Sequence, residues 1–430
     1  MDLFKTHELE LPPMRMIRQL FGVPPKVDVT VEIDKEWDRI KESIKFPDRK
    51  DIAVGVGSRG IANLAQAVRA VIAKISAAGF DPFIIPAMGS HGGASAQGQI
   101  EVLAARGITE SSVGVPIKAT MEVVPMGEIN SIPIFLDRLA HAAAGLVLVN
   151  RIKPHTDFGG PTESGLIKMM AIGLGNQIGA EHYHRLSVVR DMYEIISTAG
   201  KALLNKSNFL FGLGLVENQE HETTIVKMAL PDDLEAVEMA LLKKAAEYMP
   251  KLPLKEIDLL IIDQMGKDIS GAGIDPVVTG RYLCAHMTQK PGPAISRIFV
   301  RDLTDASEGS ALGIGQADVT TRRLVDKIDF EATAINCLTS CGPEDAKIPL
   351  AFKSDREALA AVLMTLRPYS MDDLRIVHIK NTLELTHLLV SQGCAPQLKA
   401  NPNLHFESNT YELAFDGSGN LISMVGGANV

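Results

Sequence analysis

The chain has 430 residues, of which 46% are hydrophobic and 22% are charged, and its formal net charge at pH 7 is −9. This length predicts two domains, and no apolar run approaches the roughly 20 residues of a membrane span. The negative charge, without a stripe of lysine and arginine, argues against a nucleic-acid binder. The N-terminal sequence MDLFKTHELELPP lacks the positive charge and apolar core of a signal peptide, so we expect a cytoplasmic protein.

From residue 51 onward the sequence alternates between strand and helix patterns. Residues 52–56 are predicted to form a buried strand, and the apolar positions after them mark one face of a helix that ends at Gly79. Residues 82–86 are predicted to form the next strand. A continuous apolar run at 144–149 predicts another strand, buried on both faces. This alternation predicts a mainly parallel sheet.

The remaining elements continue the pattern across a boundary near residue 250. The run MPKLP at 249–253 indicates that boundary, and a hairpin turn is predicted near the C-terminus. Strands are predicted over 209–216, 256–263, 295–300 and 374–379, and helices over 187–205, 232–249, 314–328 and 355–366. The prediction is an α/β protein made of two α/β domains, 1–252 and 253–430, with mainly parallel sheets and an active cleft between them.

Polar residues follow three of the predicted strands. Arg59 follows the first strand, His91 the second, and His155 the strand at 144–149. Because the loops of a right-handed parallel sheet open on the same edge, we expect these side chains to approach one another. Each of them, taken singly, would equally suit a solvated surface loop.

The stretch 150–185, NRIKPHTDFGGPTESGLIKMMAIGLGNQIGAEHYHR, holds the strongest signal. Lys168 lies among apolar residues, where an ammonium group is costly to desolvate. It should therefore have an anionic partner, a covalent attachment or a route to solvent. His182 and His184 are two residues apart, so they would share a face on a strand but not on a helix.

The pattern K-P-H-x-D-F-x-G…E-S-G-L-x-K-M…G-L-G…G-A…H in this stretch resembles the nickel-dependent lactate racemase family, whose members racemise or epimerise 2-hydroxy acids. The resemblance covers residues 52–185 well and the rest of the chain in outline. It implies a nickel-pincer nucleotide (nickel pyridinium-3,5-bisthiocarboxylic acid mononucleotide) as the hydride acceptor, since no side chain can play that role. It also implies two kinds of partner, a small 2-hydroxy acid and the enzymes that make the cofactor.

The resemblance assigns roles to the residues that match its motifs. His91 and His155 would act as acid and base on opposite sides of the substrate, because the two enantiomers present their hydroxyl groups from different sides. Arg59 would bind the substrate carboxylate through two parallel hydrogen bonds. His184, in preference to His182, would complete the nickel site.

Two points of this assignment stay open. Lys168 matches the lysine that tethers the cofactor, but it lies three residues further from His155 than in the family pattern, so a covalent bond and an ion pair are both possible outcomes. In the C-terminal half the family uses a glutamine and a lysine three residues apart. The available residues are the pair Gln264 and Lys267, and the pair Asp275 and Arg281. Such a polar set favours a larger or sugar-derived acid over lactate.

The sequence is also compatible with two other functions. One is a zinc-dependent hydrolase that uses histidines directly, although they lack a compact H-x-x-x-H or H-x-H-x-D ligand set. The histidines concerned are His91, His155, His182 and His184. The other is a small-molecule-binding protein without catalytic activity.

Overall fold

The computed structural model describes residues 9–22, 24–58, 60–284, 286–423 and 425. Its strands are β1 (Met14–Gln19), β2 (Asp51–Val56), β3 (Asp81–Pro86), β4 (Val123–Ile129), β5 (Ile132–Asp137), β6 (Gly145–Arg151), β7 (Phe209–Glu217), β8 (Thr223–Ala229), β9 (Glu256–Met265), β10 (Ala294–Leu303), β11 (Val319–Thr321), β12 (Leu350–Phe352), β13 (Ile376–Ile379), β14 (His387–Ser391) and β15 (Leu404–Tyr411).

The α-helices are α1 (Val29–Ile40), α2 (Leu64–Ala77), α3 (Ala96–Ala104), α4 (Glu110–Val113), α5 (Arg138–Ala142), α6 (Leu166–Lys168), α7 (Asn176–Ser187), α8 (Met192–Lys206), α9 (Leu234–Tyr248), α10 (Pro276–Thr279), α11 (Arg322–Asp326), α12 (Phe330–Thr339), α13 (Asp355–Leu363) and α14 (Ala395–Leu398). A π-helical turn, Met169–Gly173, continues directly from α6. Within the described ranges, no helix combines the length and the apolar character needed to cross a membrane.

The chain divides into two compact units, with the boundary between Met249 and Pro250. The segment that ends at Gly22 belongs to the C-terminal unit, because β1 pairs with both β14 and β15. The domain limits predicted from the sequence place this segment in the N-terminal domain instead. Its pairing partners lie at the other end of the chain, where no local pattern could indicate them.

The N-terminal unit contains a five-stranded sheet in the order β3-β2-β6-β7-β8. The first four strands in this order are parallel, and β8 is antiparallel to β7. Within β6, Leu146 and Leu148 pack into the core on one face, and Val147 and Val149 pack into the core on the other. An apolar run without alternation therefore forms a strand buried on both faces, as a parallel sheet requires.

The C-terminal unit contains an eight-stranded sheet in the order β12-β11-β10-β9-β13-β14-β1-β15. The five strands from β12 to β13 are parallel, and β14, β1 and β15 extend the sheet in antiparallel fashion. The predicted fold class, two α/β units with mainly parallel sheets, is confirmed.

A buried ion network fastens the C-terminal sheet to the chain near Leu421. The Arg301 guanidinium, 8% exposed, contacts the carboxylates of Asp263 and Asp355 and the carbonyl of Leu421. The Leu421 N–H donates in turn to Asp355 at 2.8 Å. Although burial alone would raise it, the interactions with His378 and Arg301 hold the pKa of Asp263 below its usual value.

Two predicted helices differ from those observed. The helix predicted near 314–328 is found only over Arg322–Asp326 (α11), because Val319–Thr321 forms β11 between β10 and β12. Its buried threonines, Thr320 and Thr321, donate hydrogen bonds to carbonyl groups of β10, both at 2.8 Å. The helix predicted over 187–205 begins later, at Met192, after the N-cap residue Asp191.

Candidate active site

Three loops leave the same edge of the N-terminal sheet. The strands β3, β2 and β6 are neighbours and run parallel, so the loops after them open on one edge. The start of the loop after β2 packs closely against β6: a Cβ atom added to Gly57 would lie 3.1 Å from the side-chain oxygen of Asn150. Arg59, the predicted substrate-binding arginine, lies outside the described residues.

His91 lies exposed in a series of tight turns after β3, here named the His91 loop (residues 87–95). Its Nδ1 is hydrogen-bonded to Oγ of Ser58, a buried residue in the loop after β2. This bond orients the imidazole ring and joins two neighbouring loops. The turns require positive φ angles at Gly89, Gly92 and Gly93.

The His91 loop is held against the π-helical turn. The N–H of Gly89 donates to the carbonyl of Gly173 at 3.1 Å, and the carbonyl of Gly89 accepts from Nε2 of the buried Gln99 at 2.8 Å. A Cβ atom on Gly173 would lie 2.6 Å from the carbonyl oxygen of Ala87. Glycine at this position therefore lets the turn approach the end of β3.

His155 is oriented by the loop after β6, here named the His155 loop (residues 152–165). Its backbone N–H donates to the Glu163 carboxylate at 2.6 Å, and its Nδ1 accepts from the backbone N–H of Asp157 at 3.0 Å. Its ring lies on that of Phe158, with the centroids 4.4 Å apart. Its Nε2 is in hydrogen-bond contact with Nζ of Lys168. The fixed ring and the amine thus form one polar pair.

The turn that carries Lys168 is braced by a buried carboxyl group from α9. Oε2 of Glu238 accepts from the N–H groups of Leu166 at 2.7 Å and Ile167 at 3.0 Å. A Cβ atom on Gly165 would overlap this carboxyl group, so glycine provides the necessary space. Burial raises the pKa of Glu238 to about 7, although the two N–H groups act to lower it.

His182 and His184 lie on a helix, α7, and therefore point in different directions. His182 is exposed, and its Nδ1 donates to the carbonyl of Ile178 at 2.9 Å. His184 is half-buried and follows Ala180 by one helical turn on the same face. Ala180 lies 3.7 Å from the position of a Cβ atom on Gly89. The helix face that carries His184 therefore packs against the His91 loop.

No family model and no curated protein matches this chain. Among solved structures, it is similar to the lactate racemase apoprotein from Thermoanaerobacterium thermosaccharolyticum. The two sequences are 13% identical, the match covers 85% of this chain and 84% of that chain, and the TM-score is 0.48.

The described residues fit the cofactor that the sequence resemblance implies. The resemblance implies that such a nucleotide brings most of its own nickel ligands, so that a protein binding it would supply one imidazole and a group that holds the nucleotide. His184 offers an imidazole, which is a normal nickel ligand, and Lys168 offers an amine. The helix with His184 and the turn after Lys168 both pack against the His91 loop, through Ala180 and Gly173.

A zinc site made only of protein side chains finds less support. Among the residues that the structure describes, no group of three histidine, cysteine, aspartate or glutamate side chains could hold a metal ion. His182 and His184 also project from different sides of α7. The four histidines named above do not form a common ligand set in this part of the chain.

The two predicted C-terminal site residues have contacts within their own unit. Nζ of Lys267 donates to Oδ1 of Asn336. The Arg281 guanidinium donates to the carboxylate of Asp318 and, at 2.8 Å, to the carbonyl of Gln316. It also donates to backbone carbonyls at the start of β10. The substrate-binding roles of Lys267 and Arg281 stay predictions, and the contacts of Arg281 connect the start of β10 with the residues just before β11.

Three residues of this region were not predicted from the sequence as functional: Ser58, Glu163 and Glu238. Ser58 follows Gly57 directly after β2, and Glu163 lies inside the sequence pattern quoted for the family. Their positions could therefore have marked both residues as functional. Glu238 falls between Leu234 and Leu241 on the apolar face of α9. An acidic residue at such a position indicates a buried carboxyl group that needs hydrogen-bond donors.

Proposed function

We propose that this protein is a racemase or epimerase of a 2-hydroxy acid and that it binds a nickel-pincer nucleotide. The observation that carries the proposal is the contact between His155 and Lys168, the last residue of α6. The His155 loop leaves the same sheet edge as the His91 loop. Two oriented imidazoles on loops that leave the same sheet edge suit a reaction that must accept a hydroxyl proton from either enantiomer. The sequence resemblance supplies the cofactor class, and the substrate we favour is a larger or sugar-derived acid.

The proposed roles follow from the hydrogen bonds. Ser58 orients His91 through Nδ1, so Nε2 is the nitrogen that would exchange a proton with one enantiomer. His155 would serve the other enantiomer from its own Nε2, with its ring held by Asp157. Arg59 is proposed to bind the substrate carboxylate. When bound, the nucleotide would supply the hydride acceptor.

The deciding experiment is co-expression of the chain with the cofactor-making enzymes, followed by metal and nucleotide analysis. The purified protein is then incubated with single enantiomers of a panel of 2-hydroxy acids, and the products are separated by chiral chromatography. Nickel, a bound nucleotide and inversion of at least one acid are the expected result. Zinc alone with hydrolytic activity would favour the hydrolase, and absence of both metal and turnover would favour a binding protein.

A matched pair of variants tests the nickel ligand. His184→Ala should lower nickel occupancy without unfolding the protein, whereas His182→Ala, on the exposed side of the same helix, should not. Equal occupancy in both variants would remove His184 from this role.

Mass spectrometry of the intact holo-protein resolves how Lys168 holds the nucleotide. An adduct that survives denaturation and maps to Lys168 means a covalent tether. Loss of the nucleotide on denaturation, combined with loss of binding in Lys168→Ala, means an ion pair. Unchanged binding in Lys168→Ala would show that this lysine has neither role.

A further inference from the structure

Arg106 lies two residues after α3 and contacts the loop after β2 on both sides of position 59. Its Nε donates to the carbonyl oxygen of Ser58 at 3.4 Å, and a Cβ atom on Gly60 would lie 3.7 Å from its Nη1. Ser58 and Gly60 flank Arg59, the residue proposed to bind the substrate carboxylate. A second guanidinium group therefore lies against the loop whose sequence carries the first one.

The same loop orients the proposed acid–base group. Oγ of Ser58 is hydrogen-bonded to Nδ1 of His91, and the carbonyl oxygen of Ser58 accepts from Arg106. One residue thus contacts both the imidazole and the guanidinium. Through this shared residue, Arg106 places a permanent positive charge beside the proposed site of proton transfer.

The guanidinium of Arg106 offers donors to a ligand. Of its N–H groups only Nε donates, and within the described part of the chain the two Nη groups have neither a hydrogen bond nor an ion pair. The side chain is exposed, so a ligand can approach these groups. Arg151, at the carboxyl end of β6, shows the contrast, because its Nη1 is paired with the carboxylate of Glu217. That carboxylate also accepts from the N–H of Ala62 at 2.6 Å, so it is engaged with partners other than Arg106.

We infer that Arg106 determines substrate specificity by binding a second anionic group of the 2-hydroxy acid. The preferred substrate is a dianion: Arg59 binds the carboxylate next to the hydroxyl group, and Arg106 binds a terminal carboxylate or phosphate. The planar fork of a guanidinium matches the oxygen atoms of either group in two parallel hydrogen bonds. The inference rests on the proposed function and deepens it by naming the class of acid. An arginine that only capped the carbonyl of Ser58 would not distinguish such acids from monoanions.

Matched pairs of acids test the inference on the holo-protein obtained by co-expression. One pair is 2-hydroxybutanedioate and 2-hydroxybutanoate, and the other is 2-hydroxy-3-phosphooxypropanoate and 2,3-dihydroxypropanoate. Within each pair, only the first acid carries the second anionic group, and the parent should favour that acid by kcat/KM in at least one pair. Arg106→Met should lower this preference by about 10–100-fold, the range expected for losing a hydrogen bond to a charged group, and should act mainly on KM. The pair with the larger loss shows whether the group is a carboxylate or a phosphate.

A second arginine provides the matched control. Arg69→Met removes the same charge from an exposed position on α2, so it should leave the preference for the dianion unchanged. If Arg106→Met slows both members of a pair equally, Arg106 only supports the loop at Ser58, and the inference is overturned.

Binding to the cofactor-free, full-length protein separates this inference from the proposed function. Isothermal titration calorimetry with the same four acids should show tighter binding of the dianion, and Arg106→Met should weaken that binding by about 10–100-fold. Binding that depends on Arg106, without inversion of any acid, would support the anion site and contradict the racemase. Inversion without a preference for a dianion, or with a preference that Arg106→Met does not change, would overturn the inference and leave the racemase standing. Neither binding nor inversion would overturn both.

Discussion

Glu238 is fully buried, with both N–H groups of α6 directed at one of its two carboxyl oxygens. The other oxygen, Oε1, has no hydrogen-bond partner among the described residues. Burial raises the pKa of this group from 4.5 to about 7. Because the folded-state pKa lies above the unfolded value, its stabilising contribution is complete below about pH 4.5 and is lost as the pH rises to about 7.

Glu238→Gln, which resembles the neutral carboxyl group, should therefore raise the free energy of unfolding of the N-terminal unit at pH 8. The upper limit is about 3 kcal/mol, since a shift of about 2.5 pKa units corresponds to 1.36 kcal/mol per unit. The difference from the parent should shrink towards pH 4.5. Urea unfolding at several pH values measures it, with Glu247→Gln at the exposed end of α9 as the control. A parent and a variant with parallel pH dependence would contradict the assignment.

The proposed acid–base pair makes a prediction about both directions of the reaction. His91→Ala and His155→Ala should each slow turnover from either enantiomer by about 10²–10⁴-fold, because each direction needs one base and one acid. Ser58→Ala keeps the imidazole but removes its hydrogen-bond partner, so we expect a smaller loss of about tenfold. Initial rates from each pure enantiomer give the values, and His182→Ala is the control. Full activity of either alanine variant in one direction would exclude that histidine.

Among the elements, the π-helical turn depends on the absence of a side chain at one position. A Cβ atom on Gly173 would lie 2.6 Å from the backbone oxygen of Ala87, which cannot move without shifting the end of β3. We expect Gly173→Ala to lower the free energy of unfolding by about 1–3 kcal/mol, the usual cost of overpacking. Gly179→Ala in α7 is the matched control, because the nearest heavy atom to its Cβ, in the Tyr183 ring, would lie 3.6 Å away.

The control should be neutral or stabilising by up to about 1 kcal/mol, since alanine favours a helix over glycine. Thermal or urea unfolding compares the two variants. If both variants have the same stability, the close approach of the turn to β3 is not a constraint on the fold.

The elements that could be predicted from sequence are those with a clear apolar period. Residues 144–149 indicate a strand because every position is apolar, and β6 is found there, at Gly145–Arg151. Helix α7 carried no such signal, because it has no side-chain N-cap and begins at Asn176, a residue with a positive φ angle. Its packing depends on Tyr183, buried by tertiary contacts that the local pattern does not show.

The candidate site, like the secondary structure, could be predicted only where a regular sequence pattern determines the structure. Loop positions follow from strand order, so the neighbourhood of His91 and His155 could be anticipated. The bond between Ser58 and His91, and the contact between His155 and Lys168, depend on side-chain directions within irregular loops. Such directions are set by close packing and by turns at glycine, which the spacing of residues does not encode.

At the scale of the whole molecule, the C-terminal unit is completed by the N-terminal segment of the chain. Strand β1 lies between β14 and β15, with backbone pairing on both sides. Met14 and Ile17 are fully buried in it, and Nε2 of Gln19 donates to the carbonyl of Leu385 at 2.7 Å. The short alternating segment at the start of the chain thus joins strands more than 360 residues away, since Gln19 and Leu385 are 366 positions apart.

Deleting residues 1–22 should therefore destabilise the C-terminal unit and leave the N-terminal unit folded. Burial of Met14 and Ile17 contributes about 1.5–3 kcal/mol each, and both neighbouring strands lose their hydrogen-bond partner. Hydrogen–deuterium exchange of the truncated chain should show lost protection in His387–Ser391 and Leu404–Tyr411. The strand Gly145–Arg151 should keep its protection as an internal control, because the buried clusters around the N-terminal sheet contain only residues after the deletion.

A synthetic peptide of residues 9–22 should restore protection by reoccupying the gap between the two strands. Unchanged exchange in both strands after the deletion would mean that β1 is not needed to hold this sheet together.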